Sequence, residues 1–292
     1  MSIGWASEPL LATALQCRCG RLLDVRMWSW FAVACALWLS TACSGGSEEA
    51  FDASSHDSGA VATDAASADA PPFPNTGCAN APLPSSAPDP ILLNAAVGLR
   101  PISLGTFPVD ARRRSDGSIV VATTTDSNSD FTLEVPTDGE PFDGYVRTEK
   151  TGHVPVSYFP GAPFAEDWVR GETPSIWLTL WPTTLHEEHT AAAGLSYDAS
   201  KGIVAVLVGD CTYRSFPGVT VSITPSSGAL VYNDYFGEPD PSATVTGRDG
   251  HAWIYNMEPG EIEVSGDYLG TPLRTIPIRV ASGEMTIVQL LP

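Results

Sequence analysis

Positive charge is scarce in this chain. Its 292 residues hold 15 Lys+Arg against 34 Asp+Glu, a formal net charge of −19. Such a surface repels nucleic acid and anionic headgroups, which excludes a polyanion partner. The one basic cluster, Arg112-Arg113-Arg114, runs into the turn signal Ser115-Asp116-Gly117 and reads as a solvated turn flank. Histidine is limiting too: only His56, His153, His186, His189 and His251 occur. There is no G-x-S-x-G and no H-E-x-x-H, so neither a nucleophile elbow nor a zincin helix is encoded. After Cys43 no apolar stretch reaches the roughly 20 residues a spanning helix needs.

What is present begins with Met27–Cys43, M-W-S-W-F-A-V-A-C-A-L-W-L-S-T-A-C, uncharged from Met27 to Ala42. Arg18, Arg21 and Arg26 precede it, and Ser40, Thr41 and Ala42 close it. Basic, apolar, then small is the order of a signal peptide, expected over 1–43. Leu39-Ser-Thr-Ala-Cys43 followed by Ser44-Gly-Gly resembles the lipobox of bacterial lipoproteins. The resemblance implies diacylglycerol on Cys43 and cleavage before it, giving a lipid-anchored chain. The match departs at Ser40, where leucine is usual. A secreted protein cut near Ala42 and an uncleaved N-terminal anchor stay open. Ser44 after the anchor resembles outer-membrane more than inner-membrane routing. Cys17, Cys19 and Cys35 fall in the leader, and Cys17-Arg-Cys19 lacks the spacing of a redox or zinc motif.

Residues 44–90 read as a disordered acidic tether, Pro-rich in its second half (Pro71-Pro72-Phe73-Pro74, then Pro82, Pro84, Pro88, Pro90). It shows no apolar period and no Lys or Arg, so it cannot bury enough surface to offset its ordering entropy. Two cysteines remain besides the leader's and Cys43: Cys78 and Cys211. In an exported chain such a pair suggests one disulfide, with two free thiols or an intermolecular bond as alternatives.

Beyond the tether the chain has all-β composition. Of its 26 glycines and 25 prolines many mark turns between short β-branched runs. Two small Greek-key β-sandwich modules are expected, over 91–182 and 203–292, joined by a connector at 183–202. Strands are predicted at 102–109, 118–125, 130–135, 145–148, 154–158 and 175–180 in module one. In module two they are predicted at 203–208, 219–223, 230–233, 243–246, 252–255, 261–264, 275–280 and 286–290. The connector segment Thr184-Leu-His-Glu-Glu-His-Thr-Ala-Ala-Ala193 suits a short helix capped by Thr183 or Thr184. Thr246-Gly-Arg-Asp-Gly-His-Ala-Trp-Ile-Tyr255 and Met257-Glu-Pro-Gly-Glu-Ile-Glu-Val264 resemble the carboxypeptidase regulatory-like family. That resemblance implies a transthyretin- or prealbumin-like sandwich, mostly accessory and without catalysis of its own. Module one keeps only part of the pattern, with Ser129-Asp130 where Asp-Gly would stand.

Candidate sites follow from the residue types left over. His186 and His189 share a helix face at i and i+3, and with His153 are the secondary candidates for a metal; a solvated connector is the competing reading. Asp126-Ser-Asn-Ser-Asp130 has calcium-loop oxygens, but Phe131 and Thr137 stand where glycine and glutamate are required, so it reads as an Asx-turn. Tyr235 and Phe236, adjacent in a polar-flanked loop, are candidates for ligand contact. No cofactor is implied. The expectation is a non-catalytic cell-envelope lipoprotein of structural or interaction role, its partners a membrane and a protein or glycan. A carbohydrate-binding surface module and a metal-binding protein or enzyme using His186/His189 are the alternatives.

Overall fold

The β-branched, turn-punctuated sequence folds almost entirely into strands. In the computed structural model β1 (Ile91–Ala96), β2 (Pro108–Arg113), β3 (Ile119–Thr124), β4 (Asp130–Val135), β5 (Gly144–Thr148) and β6 (Val156–Phe159) precede one helix, α1 (Thr183–Ala192). After it come β7 (Gly202–Val208), β8 (Thr220–Thr224), β9 (Ala229–Asn233), β10 (Pro239–Asp240), β11 (His251–Met257), β12 (Gly260–Tyr268), β13 (Thr271–Pro272), β14 (Ile276–Val280) and β15 (Met285–Leu290). The structure describes residues 76–78, 81–98, 104–170, 176, 178–234 and 236–292, all within the unit Asp64–Pro292. The leader, Cys43, the tether up to residue 75, and Tyr235 lie outside the described residues.

The segments expected as separate modules share one nine-stranded sheet, in the order β10-β9-β11-β7-β15-β6-β5-β2-β3. This departs from two free-standing sandwiches, and the reason is β15. The last strand of the chain lies in the middle, parallel to β6 on one side and to β7 on the other. Parallel, two-sided burial asks for continuous apolar runs rather than alternation. β7 (G-I-V-A-V-L-V) and β15 (M-T-I-V-Q-L) supply them. In β7, Ile203 and Ala205 enter one core while Val204, Val206 and Val208 enter the other. In β15, Met285 and Ile287 divide in the same way from Val288 and Leu290.

Each face of the central sheet is then covered. The β1–β4 hairpin-like pair lays Ile91, Leu93, Ala95, Phe131, Leu133 and Val135 into the first core. The four-stranded sheet of β8, β12, β13 and β14 lays Val221, Ile262, Val264, Ile276 and Ile278 into the second. An ion pair ties the segments at their seam. Arg147 of β5 meets the buried Glu284 at 3.1 Å, and Ser157 of β6 donates to the same carboxylate.

Several local expectations shift. The strand predicted at 102–109 begins only at Pro108, β1 had no strand forecast, and of 175–180 a bridge at Leu178 to Val97 is described. Thr246, expected in a strand, instead stitches its loop to the segment that precedes β8. Its hydroxyl accepts from the Val219 amide at 3.0 Å and donates to the Phe216 carbonyl at 2.9 Å. The tether, expected to run free to residue 90, is docked by its described end. Ala87 N–H donates to the Gly139 carbonyl, and the Thr137 hydroxyl donates to the Pro88 carbonyl. Gly250 sits at φ +72, with a Cβ position only 2.5 Å from the Val208 carbonyl oxygen, so the Asp-Gly turn admits no other residue comfortably. In the partly similar turn of the first segment, Ser129 also takes a positive φ of 66°. Asp126 accepts from the amides of Asn128 and Asp130 at 2.8 and 2.9 Å, an Asx-turn.

Candidate functional site

Helix α1 brings the connector histidines onto the central sheet. Pro182 is its N-cap with no side-chain cap, so neither Thr183 nor Thr184 plays the expected role. The Thr183 amide instead donates to the Gly152 carbonyl at 3.3 Å, which satisfies one of the orphan donors of the first turn. At the other end Gly194 takes φ +75, and the Leu195 amide reaches back to the Thr190 carbonyl, closing the helix as a Schellman-type cap. Spacing does the rest: His186, His189 and Thr190 face inward, and Glu187 and Glu188 face solvent.

His186 is 3% exposed, with its ring edge-on to Tyr197 at 4.7 Å. His189 is half-buried between Trp181 at 4.8 Å and Trp253 of β11 at 4.5 Å. Its Nδ1 lies 2.9 Å from the hydroxyl of Tyr255, also on β11. Burial pushes the His186 imidazole down to about 4. Burial, then the charges of His186 and His251, does the same to His189, also to about 4. Burial pushes the Tyr255 phenol well up. Near neutral pH the cluster is therefore uncharged: two neutral imidazoles and a neutral phenol in an aromatic pack.

Chemically this favours packing over catalysis. The nearby Thr190 hydroxyl is spent on the His186 carbonyl at 2.9 Å. The Nδ1 of His186 and the indole Nε1 of Trp253 are buried with no hydrogen-bond partner. The Nδ1 of His153 lies 3.2 Å from the Thr151 carbonyl oxygen. His251 pairs with Asp249 at 3.2 Å. Among the described residues no three His, Cys, Asp or Glu side chains gather to hold a metal ion. The sequence signal at His186 and His189 is thus explained by a core-facing helix stripe, and two of the aromatic neighbours of His189, Trp253 and Tyr255, come from β11, which the local sequence did not announce.

The remaining candidates are placed as follows. Phe236 is 84% exposed on a loop that Asp234 organises, its carboxylate accepting from the amides of Phe236 and Glu238 at 2.7 and 3.0 Å. Cys78 and Cys211 are disulfide-bonded across 133 positions of sequence. No helix among the described residues is long and apolar enough to cross a membrane.

Comparison with known proteins adds little. No family model matches the chain, and no curated protein matches it. Among solved structures, the TIE protein of Bacillus anthracis aligns at 11% identity and TM-score 0.23, over 69% of this chain and 33% of its own. The chain therefore spans about a third of that protein's length. A shaft pilin SpaA of Lactobacillus rhamnosus GG aligns at 10% identity and TM-score 0.23, over 70% of this chain and 97% of its own. GBS52, the minor pilin of Streptococcus agalactiae, aligns at 10% and 0.23, over 69% and 95%.

Proposed function

We propose that this chain is an exported cell-envelope protein without catalysis of its own, a rigid β body displayed on a tether for a structural or interaction role. The Cys78–Cys211 disulfide carries the reading. A bond of this kind persists in oxidising compartments and is rare in a reducing cytosol. The apolar leader ending at Cys43 supports the same route and a lipid-anchored or secreted protein, with Ser44 favouring the outer over the inner membrane for the anchored form. The neutral, packed state of His186 and His189 supports a structural reading of the connector. The likeness of the Asp249-Gly250 turn to carboxypeptidase regulatory-like domains fits an accessory part. A glycan- or protein-contacting role draws on Phe236, whose ring is 84% exposed.

Fractionation of native cells, with thiol labelling and intact mass, tests this. The expected result is envelope-associated protein starting at Cys43, with Cys78 and Cys211 labelled only after reduction. Full-length protein in the cytosol with both thiols free would defeat it.

A further inference from the structure

A second feature of the fold lies away from the helix. The loop after β7 is braced at both ends. Asp210 accepts from the Thr212 amide and hydroxyl, both at 2.7 Å, and from the Arg214 amide at 3.1 Å. Cys211 in the same loop is bonded to Cys78, and Arg274 donates to the carbonyls of Cys78 and Ala81. The brace holds Tyr213 at φ +61, a left-handed conformation that a bulky residue adopts only under constraint. Such backbone strain clusters at functional sites.

Tyr213 is held there over a cleft of about 300 Å³. Its ring meets that of Trp168 edge-on at 6.1 Å. Gly161 lets the opposite wall close in, since a Cβ there would lie 2.9 Å from both the Gln289 carbonyl oxygen and the Leu291 side chain. The Gln289 side-chain oxygen accepts from Tyr158 at 3.1 Å. The remaining lining is largely apolar, and the one charged side chain in it is Glu166, exposed and with no salt bridge among the described residues. Arg274 is near enough to act on Tyr213 but is outside the lining and directed at the two carbonyls.

We propose that this cleft binds a primary ammonium group on a short apolar stem, as on the lysine side chain of a basic partner protein. The stem lies against Leu291 and the aromatic edges, and the ammonium meets the Glu166 carboxylate and the Tyr213 ring. Aromatic rings attract cations, and a carboxylate at the rim repels anions. The volume is at the small end for ligand sites, which suits a side chain better than an oligosaccharide. Trp168 is only 4% exposed, so it offers little face for stacking on a sugar. A net charge of −19 on the chain favours a basic partner. The site stands whether or not the chain carries a lipid.

The test is an NMR titration of the full oxidised chain at low ionic strength, following the Trp168 and Tyr213 resonances. The probe is Nα-acetyl-lysine amide, with Nα-acetyl-norleucine amide as the uncharged isostere and glucose as a sugar control. One cation–ring and one exposed carboxylate contact, each worth severalfold, predict about tenfold tighter binding of the lysine probe. In Glu166→Gln the preference should fall to about threefold, the share of the ring contact alone, a change at an exposed position that leaves folding intact. Equal binding of the two amino-acid amides, a preference unchanged in Glu166→Gln, shifts with glucose alone, or no shift with any probe would each overturn the assignment.

Discussion

Lowering the pH from 7.5 to 4.5 should loosen this protein through His186 and His189. In the unfolded chain both imidazoles titrate near the ordinary 6.5; in the folded chain both are held at about 4. Above 6.5 each is neutral in both states and costs nothing. Between 6.5 and 4 the unfolded chain takes up protons that the folded chain refuses, so stability falls as pH falls. The gap corresponds to about 3 kcal/mol per imidazole. Because the two rings repel one another once charged, we expect about 3–6 kcal/mol for the pair. Two background effects differ in sign or window. Protonating exposed carboxylates relieves the repulsion of a chain at −19, which stabilises. Asp198 and Asp240 are held below the ordinary carboxylate range by the hydroxyls and amides of Ser200 and Ser242, so they act beneath this window. Urea unfolding at several pH values, on the parent and on a His186→Leu/His189→Phe variant, separates the histidines from the rest. The variant loses the Tyr255 hydrogen bond, an offset that does not vary across the window. Its stability should be flat or rise where that of the parent falls. Parallel curves for the two proteins would refute the reasoning.

Four further outcomes are expected. Cys78→Ser/Cys211→Ser should cost about 5 kcal/mol in urea unfolding on the chain-entropy account, because the closed loop spans 133 positions. Gly250→Ala should destabilise by more than about 2 kcal/mol, adding steric conflict with the Val208 carbonyl to the left-handed strain. Gly139→Ala, at φ +85 with open space around it, should cost about 1 kcal/mol, both glycine variants being read from thermal melts against the parent. Glu284→Ala leaves Arg147 without its buried partner at the seam and should cost about 3 kcal/mol, read from the shift of the urea midpoint at constant slope.

Much of the strand content was legible in the residues. Phe131, Leu133 and Val135 alternate with polar neighbours and do face a core, since a half-buried strand writes its period of two locally. The turn at Asp249-Gly250 was legible for a similar reason, because a positive φ selects glycine within a few residues. The histidine pair was legible as one face of a helix, yet its character was not. Beside the nearby Trp181 and Tyr197, its environment includes Trp253 and Tyr255, more than sixty positions downstream. Tyr213, Trp168 and Glu166 carried no motif, because Glu166 and Trp168 share one segment and Tyr213 belongs to another, and only folding brings the two to one cleft.

Strand positions, turn chemistry and acidity belong to the order of residues along the chain, for each depends on composition or on neighbours a few positions away. Which strands pair does not. β15 could have closed either expected module; its two apolar faces and its hydrogen-bonding edges on both sides placed it between β6 and β7, so two sandwiches became one central sheet. That choice rests on burying both faces at once, a gain that exists only when segments far apart in the sequence meet.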